Sequence, residues 1–294
     1  MKKFLLTSVL ILLVLAVSAQ VKVAPQMRKG DKKVYVTEST VTTPQLSQKT
    51  SIETTYQVKD VTPEGYVIES LITDVKIDSD TTNITNRIAA LTTTMTKGIR
   101  VSFLTDKEGQ ILKVLHFGEV MDQSRDMLSK LLDEASLPNA MPKESLMNAA
   151  MSNFNEESLL TSIKTNHSPF ALNGKTISDG TEDEFTYTGG FKMKRTYSLN
   201  NDGSIKAASV INFSQKDMMD MFAAMTSNNF PDKKEEIQKQ VEQMAENNML
   251  MISGNDNSTY TFCPDGWVES ISLESAINAM GQQISVSSKV MLKK

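Results

Sequence analysis

The sequence has few of the residues that usually carry chemistry: one cysteine, two histidines and one tryptophan among 294 residues. A single cysteine, Cys263, excludes a disulfide bond within the chain. The two histidines, His116 and His167, lie far apart without an HExxH context, which is typical of structural or surface histidines and not of metal ligands. No GxSxG, Walker or dinucleotide-binding glycine pattern occurs. We therefore expect no enzyme activity, no catalytic residues, no cofactor and no metal site.

Three further groups of residues resemble functional sites only superficially. The acidic run Glu182–Glu184 lies in strand-like sequence, where consecutive side chains point to opposite faces and do not form a catalytic pair. The acidic series around Asp78 has Asn83 and Ala89 where a calcium loop needs Gly and Glu, so we expect a solvated strand end. Cys263 has no obvious neighbouring base that would activate it as a nucleophile.

The N-terminus has the pattern of a cleaved secretory signal peptide. Two lysines precede an apolar run, Phe4–Val17, which ends before a junction of small residues at Ala19 and Gln20. The run is about 14 residues long, whereas a membrane-spanning helix needs about 20. The only cysteine, Cys263, is not at this junction, so we expect no lipid anchor. The sequence thus predicts a signal peptide over residues 1–19 and an exported protein, either periplasmic or extracellular.

The charge balance argues against two classes of partner. Removing two lysines with the leader lowers the basic count from 31 to 29 against 35 acidic residues, a net charge of −6. Nucleic acid and anionic membrane surfaces are therefore poor partners. No later stretch approaches about 18 continuous apolar residues, so no membrane span is expected after cleavage.

Alternating apolar and polar residues predict an antiparallel sheet built from hairpins. Ile52, Thr54, Tyr56 and Val58 alternate with polar residues, which is typical of a strand with one buried face. A recurring unit places an aromatic residue six positions before a turn glycine and a β-branched residue two positions after it. The unit occurs in full around three glycines, Gly109, Gly203 and Gly266, and in part around Gly65.

Segments with helical periodicity lie between the hairpins. They are expected at 118–135, 142–154 with a short continuation around 159–163, 214–227, and from Pro231 onward. This order of elements predicts an α+β fold: a large curved antiparallel sheet, formed as a hairpin meander, with amphipathic helices packed on one face. We expect residues 20–294 to form a single domain, with a subdivision near 166–177 as the alternative.

Methionine is the one unusual feature of the composition, at 18 residues with a cluster near position 220. Thioether side chains are flexible and polarizable, so they suit adaptable apolar binding surfaces, but they also fill ordinary cores. If helices only partly cover a curved sheet, an apolar or lipid-like molecule could bind between them. The residues expected to line that site are Met218, Met221, Phe222 and Met225.

Several segments resemble a family of exported bacterial proteins of unknown function, of the Bacteroidetes type. The resemblance rests on Met27–Lys32, on Val58–Val61 leading into the turn at Gly65, and on the last Met/Val strand. The Ser-Ala-Gln cleavage junction is similar to leaders common in those bacteria. This resemblance implies O-glycosylation of Thr81, within Asp80-Thr81-Thr82. More distantly, the predicted fold resembles the half-barrels of periplasmic lipoprotein carriers.

Two functions remain open at this point. The first is an exported, soluble, non-catalytic protein that binds an apolar small molecule or lipid between sheet and helices. The second is a cell-envelope interaction module that docks a partner protein through an exposed sheet face or edge. The sequence does not identify the ligand or the partner.

Overall fold

Eleven antiparallel strands form one continuous sheet in the computed structural model of the chain. The structure describes residues 20–44, 46–79, 90, 93–94, 96–134, 143–151, 154–165, 168–186, 192–220, 234–246, 250–279 and 281–294. The predicted α+β class, a large antiparallel sheet with helices on one face, is confirmed.

The sheet consists of two hairpin meanders. The first contains β2 (Lys32–Thr43), β3 (Leu46–Val61), β4 (Gly65–Ser79), β5 (Arg100–Asp106) and β6 (Ile111–Leu115). The second contains β8 (Glu182–Thr186), β9 (Lys192–Leu199), β10 (Ile205–Phe213), β11 (Ile252–Phe262), β12 (Val268–Ala279) and β13 (Gln282–Leu292). Within each meander, sequence neighbours pair with each other, and the two meanders join where β13 pairs with β2. The spatial order is therefore β6-β5-β4-β3-β2-β13-β12-β11-β10-β9-β8.

One face of the sheet, here called the inner face, is buried against the rest of the chain. Strand β10 shows this most clearly, because its residues alternate strictly between buried and exposed along all nine positions. Ile205, Ala207 and Ile211 lie on the buried side. The same alternation in β3 places Tyr56 and Val58 in the apolar clusters on the inner face, as the sequence predicts.

The turn glycines of the predicted hairpins have the conformation that tight turns require. Gly109, Gly203 and Gly266 have φ between 80 and 83°, a region that favours glycine. Gly65, which fits the recurring unit only in part, serves a different purpose. It lies in β4 directly beside β5, and a Cβ atom there would lie 2.0 Å from the Thr105 carbonyl oxygen.

The helices lie close to their predicted positions. They are α1 (Phe117–Glu134), α2 (Lys143–Met151), α3 (Glu156–Ile163) and α4 (Lys234–Glu246). A further helical segment covers 215–220 and begins after Ser214. The Ser214 hydroxyl accepts from the backbone N–H of Asp217, and the Asp217 carboxylate accepts from the backbone N–H of Ser214. Helices α1 and α3 contact the inner face near β5 and β6, and α4 contacts it near β9 and β10. None of the helices within the described ranges is long and apolar enough to cross a membrane.

The middle of the inner face is covered by a buried loop and a small second sheet. The sheet pairs β1 (Gln20–Lys22) with β7 (Thr176–Ser178). The loop, residues 168–175, is here called the inner loop; it buries Phe170 and Leu172 in two neighbouring apolar clusters. The alternative domain subdivision near 166–177 falls on this buried segment, and strands from both sides of it share one sheet.

The large sheet is not closed into a barrel. Its edge strands are β6 and β8, and the described residues show no pairing between them. The inner loop contacts the β5–β6 turn, because the Asn173 side-chain amide donates to the Gly109 carbonyl oxygen at 3.2 Å. Lys175, at the end of the same loop, forms an ion pair with Asp183 in β8. The inner loop therefore bridges the gap between the two edges.

Candidate functional site

A pocket of about 370 Å³ lies between the inner face and helix α3, and we call it the inner pocket. Its volume falls within the range of about 300–1,000 Å³ that is usual for small-molecule sites. Apolar side chains from three strands, α3 and the inner loop form its wall: Tyr56, Ile72, Ile99, Val101, Phe103, Leu159, Ile163 and Phe170. Hydroxyl groups are interspersed, from Thr54, Ser70, Thr96, Ser162, Thr165 and Ser168.

Helix α3 is held at the start by a capping box. The Asn155 side chain accepts from the backbone N–H of Ser158 at 2.8 Å, and the Ser158 hydroxyl accepts from the backbone N–H of Asn155 at 3.0 Å. Leu159 then enters the apolar cluster that contains Val101 and Val114 of the sheet. This start fixes the helix against the sheet, and Ser162, one turn later, faces the pocket.

Phe170 forms the floor between the inner pocket and the core. Its ring contacts Tyr56, Phe103 and Trp267 edge-to-face, with centroids 5.2, 5.4 and 5.8 Å away. The single tryptophan is itself anchored, because its indole N–H donates to the Gln26 carbonyl oxygen at 3.2 Å. Burial raises the pKa of the Tyr56 hydroxyl to about 12, so this group enters the apolar wall in its neutral form.

A second pocket of about 250 Å³ lies where the two sheet edges approach each other, and we call it the seam pocket. Ile111 of β6 lines one side and Phe185 of β8 the other, with Lys164 at the end of α3 and Lys175 of the inner loop between them. Unlike the inner pocket, it carries charged side chains.

Asp183 organises the charges beside the seam pocket. Its carboxylate pairs with Lys175, lies 3.4 Å from Nε of Arg195 and accepts from the Tyr197 hydroxyl at 2.8 Å. The Arg195 guanidinium also stacks over the Phe185 ring, 4.2 Å from its centroid. Lys175 and Arg195 thus share the Asp183 carboxylate. Because Arg195 is only 4% exposed, we expect the stability of this part of the sheet to depend on the negative charge of Asp183.

The structure describes one of the four residues that the sequence predicts as a ligand lining. Met218 is buried, in a cluster with Ile211 and Val241 under α4, and it does not line the inner pocket. Met221, Phe222 and Met225 lie outside the described residues, and their part in a binding site stays a prediction.

The other predicted positions near the termini and in the glycan motif also lie outside the described residues. These are Ala19 of the cleavage junction and Thr81, the predicted glycan acceptor, and both predictions stand untested. Gln20, the predicted first residue of the mature chain, begins strand β1 and pairs with Ser178.

The groups set aside on sequence grounds have ordinary surroundings where the structure describes them. His116 lies at the end of β6 with an exposed ring, 3.8 Å from Glu119, and His167 is outside the described residues. Cys263 is half-buried, and burial raises the pKa of its thiol. In the run Glu182–Glu184, Asp183 is half-buried and pairs with Arg195, whereas Glu182 and Glu184 are exposed. Among the described residues, no three His, Cys, Asp or Glu side chains are grouped to hold a metal ion.

Sequence reasoning missed the inner loop as a site element. The signal was present: Pro169-Phe170-Ala171-Leu172 is an apolar run inside a segment otherwise interpreted as a turn region. An exposed loop does not need Phe170 and Leu172, so such a run indicates insertion into a core.

Comparisons with known proteins identify no relative by sequence. No family model matches the chain, and no curated protein matches it. The predicted membership in a family of exported bacterial proteins therefore stays a prediction. A solved structure described as "lipid-protein interactions in lipovitellin" is similar over 92% of this chain and 26% of that chain, with 10% sequence identity and a TM-score of 0.39. The chain thus spans about a quarter of that protein's length.

Proposed function

We propose that this protein is an exported, soluble, non-catalytic binding module for an apolar, lipid-like ligand. One observation carries the proposal: the inner pocket, an apolar space of about 370 Å³ between the sheet and helix α3. Its wall combines apolar side chains with hydroxyl groups, which can orient a ligand without supplying reactive groups. Burying apolar ligand surface there contributes about 25 cal/mol per Å² before the costs of association.

The location follows from the sequence. The signal peptide over residues 1–19 directs the chain to the periplasm or beyond, and the mature chain begins at Gln20. Strand β1 (Gln20–Lys22) pairs with β7, and Val23, which follows β1, is buried in the apolar cluster on the inner face. A carrier in that compartment would shield an apolar molecule from water between two membranes or outside the cell.

A second candidate, the cell-envelope interaction module, is favoured by the outer face of the sheet. The outward side chains of β10 and β11 are mostly uncharged, and Val210 is 77% exposed. Such a face can contact a partner protein with little desolvation of charge. Purification of the protein without detergent distinguishes the two candidates, because a carrier retains a bound ligand and an interaction module does not.

The test is native mass spectrometry of the full-length gene product, expressed in an exporting bacterium and purified without detergent, followed by solvent extraction and lipid analysis. We expect the mass of residues 20–294 with a stoichiometric apolar adduct. An added glycan mass would support modification of Thr81. A chain that keeps its first 19 residues would contradict export, and a clean mass without extractable lipid would favour the interaction module.

Paired variants locate the ligand. Ile72→Glu places a charge in the inner pocket and should abolish the adduct, whereas Val210→Glu makes the same kind of change on the outer face and should not. Ser162 lines the inner pocket and is exposed, so Ser162→Trp fills the pocket without deleting a buried side chain. This variant should also remove the adduct. Met221→Glu tests the methionine lining: loss of the adduct in this variant alone would place the ligand away from the inner pocket.

A further inference from the structure

The inner pocket and the seam pocket adjoin each other. Thr165 and Phe170 line both of them. The lining of the inner pocket is mostly apolar, whereas the lining of the seam pocket includes charged side chains. A ligand that extends from one pocket into the other therefore meets an apolar surface at one end and a charged surface at the other.

The charges of the seam pocket are predominantly positive. Lys164, Lys175 and Arg195 line it, against one lining carboxylate, Glu184, whose residue is exposed. Asp183 adjoins the pocket and is shared by Lys175 and Arg195. The residues that line the seam pocket therefore carry more positive than negative charges.

Lys164 is the cation that is most accessible to a ligand. It caps the C-terminal end of α3 with its backbone N–H, which bonds to the Thr161 carbonyl oxygen at 3.2 Å, while its side chain lines the seam pocket. It takes part in none of the ion pairs that the described residues form. Partial burial lowers the pKa of its ammonium group, a cost that a bound anion would offset.

We propose that the ligand is a single-chain amphiphile with an acidic headgroup, whose chain occupies the inner pocket and whose headgroup binds Lys164 and Lys175 in the seam pocket. This inference rests on the proposed function, because it assigns the chemistry of the same ligand. Hydrogen bonds between ammonium groups and an anion are stronger than neutral ones, so the headgroup contributes affinity as well as orientation.

The experiment is isothermal titration of the mature protein at pH 8 with three probes of equal chain length, below their micelle-forming concentrations. Dodecanoate and dodecyl phosphate carry acidic headgroups, and dodecanol is the neutral control. Both acids should bind about tenfold more tightly than dodecanol, and Lys164→Gln should remove about tenfold from the acids alone, as loss of one charge-assisted hydrogen bond predicts. The stronger of the two acids distinguishes a carboxylate from a phosphate headgroup.

Two control variants make the result specific to this position. Lys113→Gln removes an exposed lysine from the edge strand β6 that lines neither pocket, and it should change no affinity. Lys164→Arg keeps the charge and should retain the binding of the acids. If acids and dodecanol bind equally, or if Lys164→Gln weakens all three alike, the headgroup assignment is wrong while the proposed function stands. If none of the probes binds, both are wrong.

Discussion

Replacing Phe170 by Ala tests whether the inner loop is a structural part of the sheet's inner face. Phe170 is 4% exposed and contacts three aromatic rings within 5.8 Å. Buried Phe→Ala changes typically cost about 3–5 kcal/mol. The space left behind opens into the inner and seam pockets, which Phe170 lines, so water can enter and the cavity cost is reduced. We therefore expect a loss near the lower end of that range, about 3 kcal/mol.

Urea unfolding monitored by the single tryptophan measures this loss directly. Trp267 is 2% exposed and lies 5.8 Å from Phe170, so its fluorescence reports on the same region. The control is Phe117→Ala: that residue is half-buried and its ring contacts only Phe154 among the described aromatic pairs, so it should lose no more than about 1.5 kcal/mol. Equal losses in the two variants would refute the placement of the inner loop.

Three further predictions concern stability. Asp183→Asn leaves two cations beside it without their shared carboxylate and should lower the free energy of unfolding by about 3 kcal/mol; a loss below about 1 kcal/mol would contradict the charge cluster. Gly65→Ala forces a Cβ onto a neighbouring carbonyl and should strongly lower the melting temperature, whereas Gly118→Ala, with open space in helix α1, should leave it unchanged or raised. The Asp265 carboxyl is partly desolvated, which opposes ionisation, but the hydrogen bonds from Lys33 and from the Trp267 backbone N–H, together with the Lys33 charge, outweigh this and lower its pKa. The ionised carboxylate therefore stabilises the fold above about pH 4, and this contribution is lost as the pH falls further. The urea midpoints of wild type and Asp265→Asn should differ at pH 7 and converge by pH 3. A difference in midpoint that stays the same at both pH values would contradict this.

Turns, helix bounds and the buried faces of strands could be predicted because residues close together in the sequence determine them. A glycine six positions after an aromatic residue identified the turns at Gly109, Gly203 and Gly266, and all three have the positive φ that such turns need. Helical periodicity placed α1 within one residue of its observed bounds, Phe117–Glu134. Strand alternation in β3 predicted the buried side of Tyr56 and Val58, because the two sides of a strand face different surroundings.

The order of strands could not be predicted in the same way. The junction of the two meanders pairs Val36 with Met291, which are more than 250 positions apart in the sequence. Nothing in either strand specifies its partner, since both have one apolar and one polar face and would fit many neighbours. The methionine cluster shows a related limit: Met218 lies in the apolar cluster under α4, and a flexible thioether can fill a core as well as it can contact a ligand.

The candidate site escaped sequence analysis because it depends on an insertion and not on a motif. An open sheet of eleven strands leaves a wide apolar inner face that must be covered. The inner loop covers its middle with Phe170 and Leu172, while α3 covers one side through Leu159. The inner pocket is the space left between the strands, the inner loop and α3. Lys164 stands at the point where α3 ends and the chain turns toward the inner loop, so the cation and the apolar pocket come together through chain path alone. A ligand that joins an acyl chain to an acidic group is complementary to that arrangement, and it would hold the helix and the loop against each other as it binds.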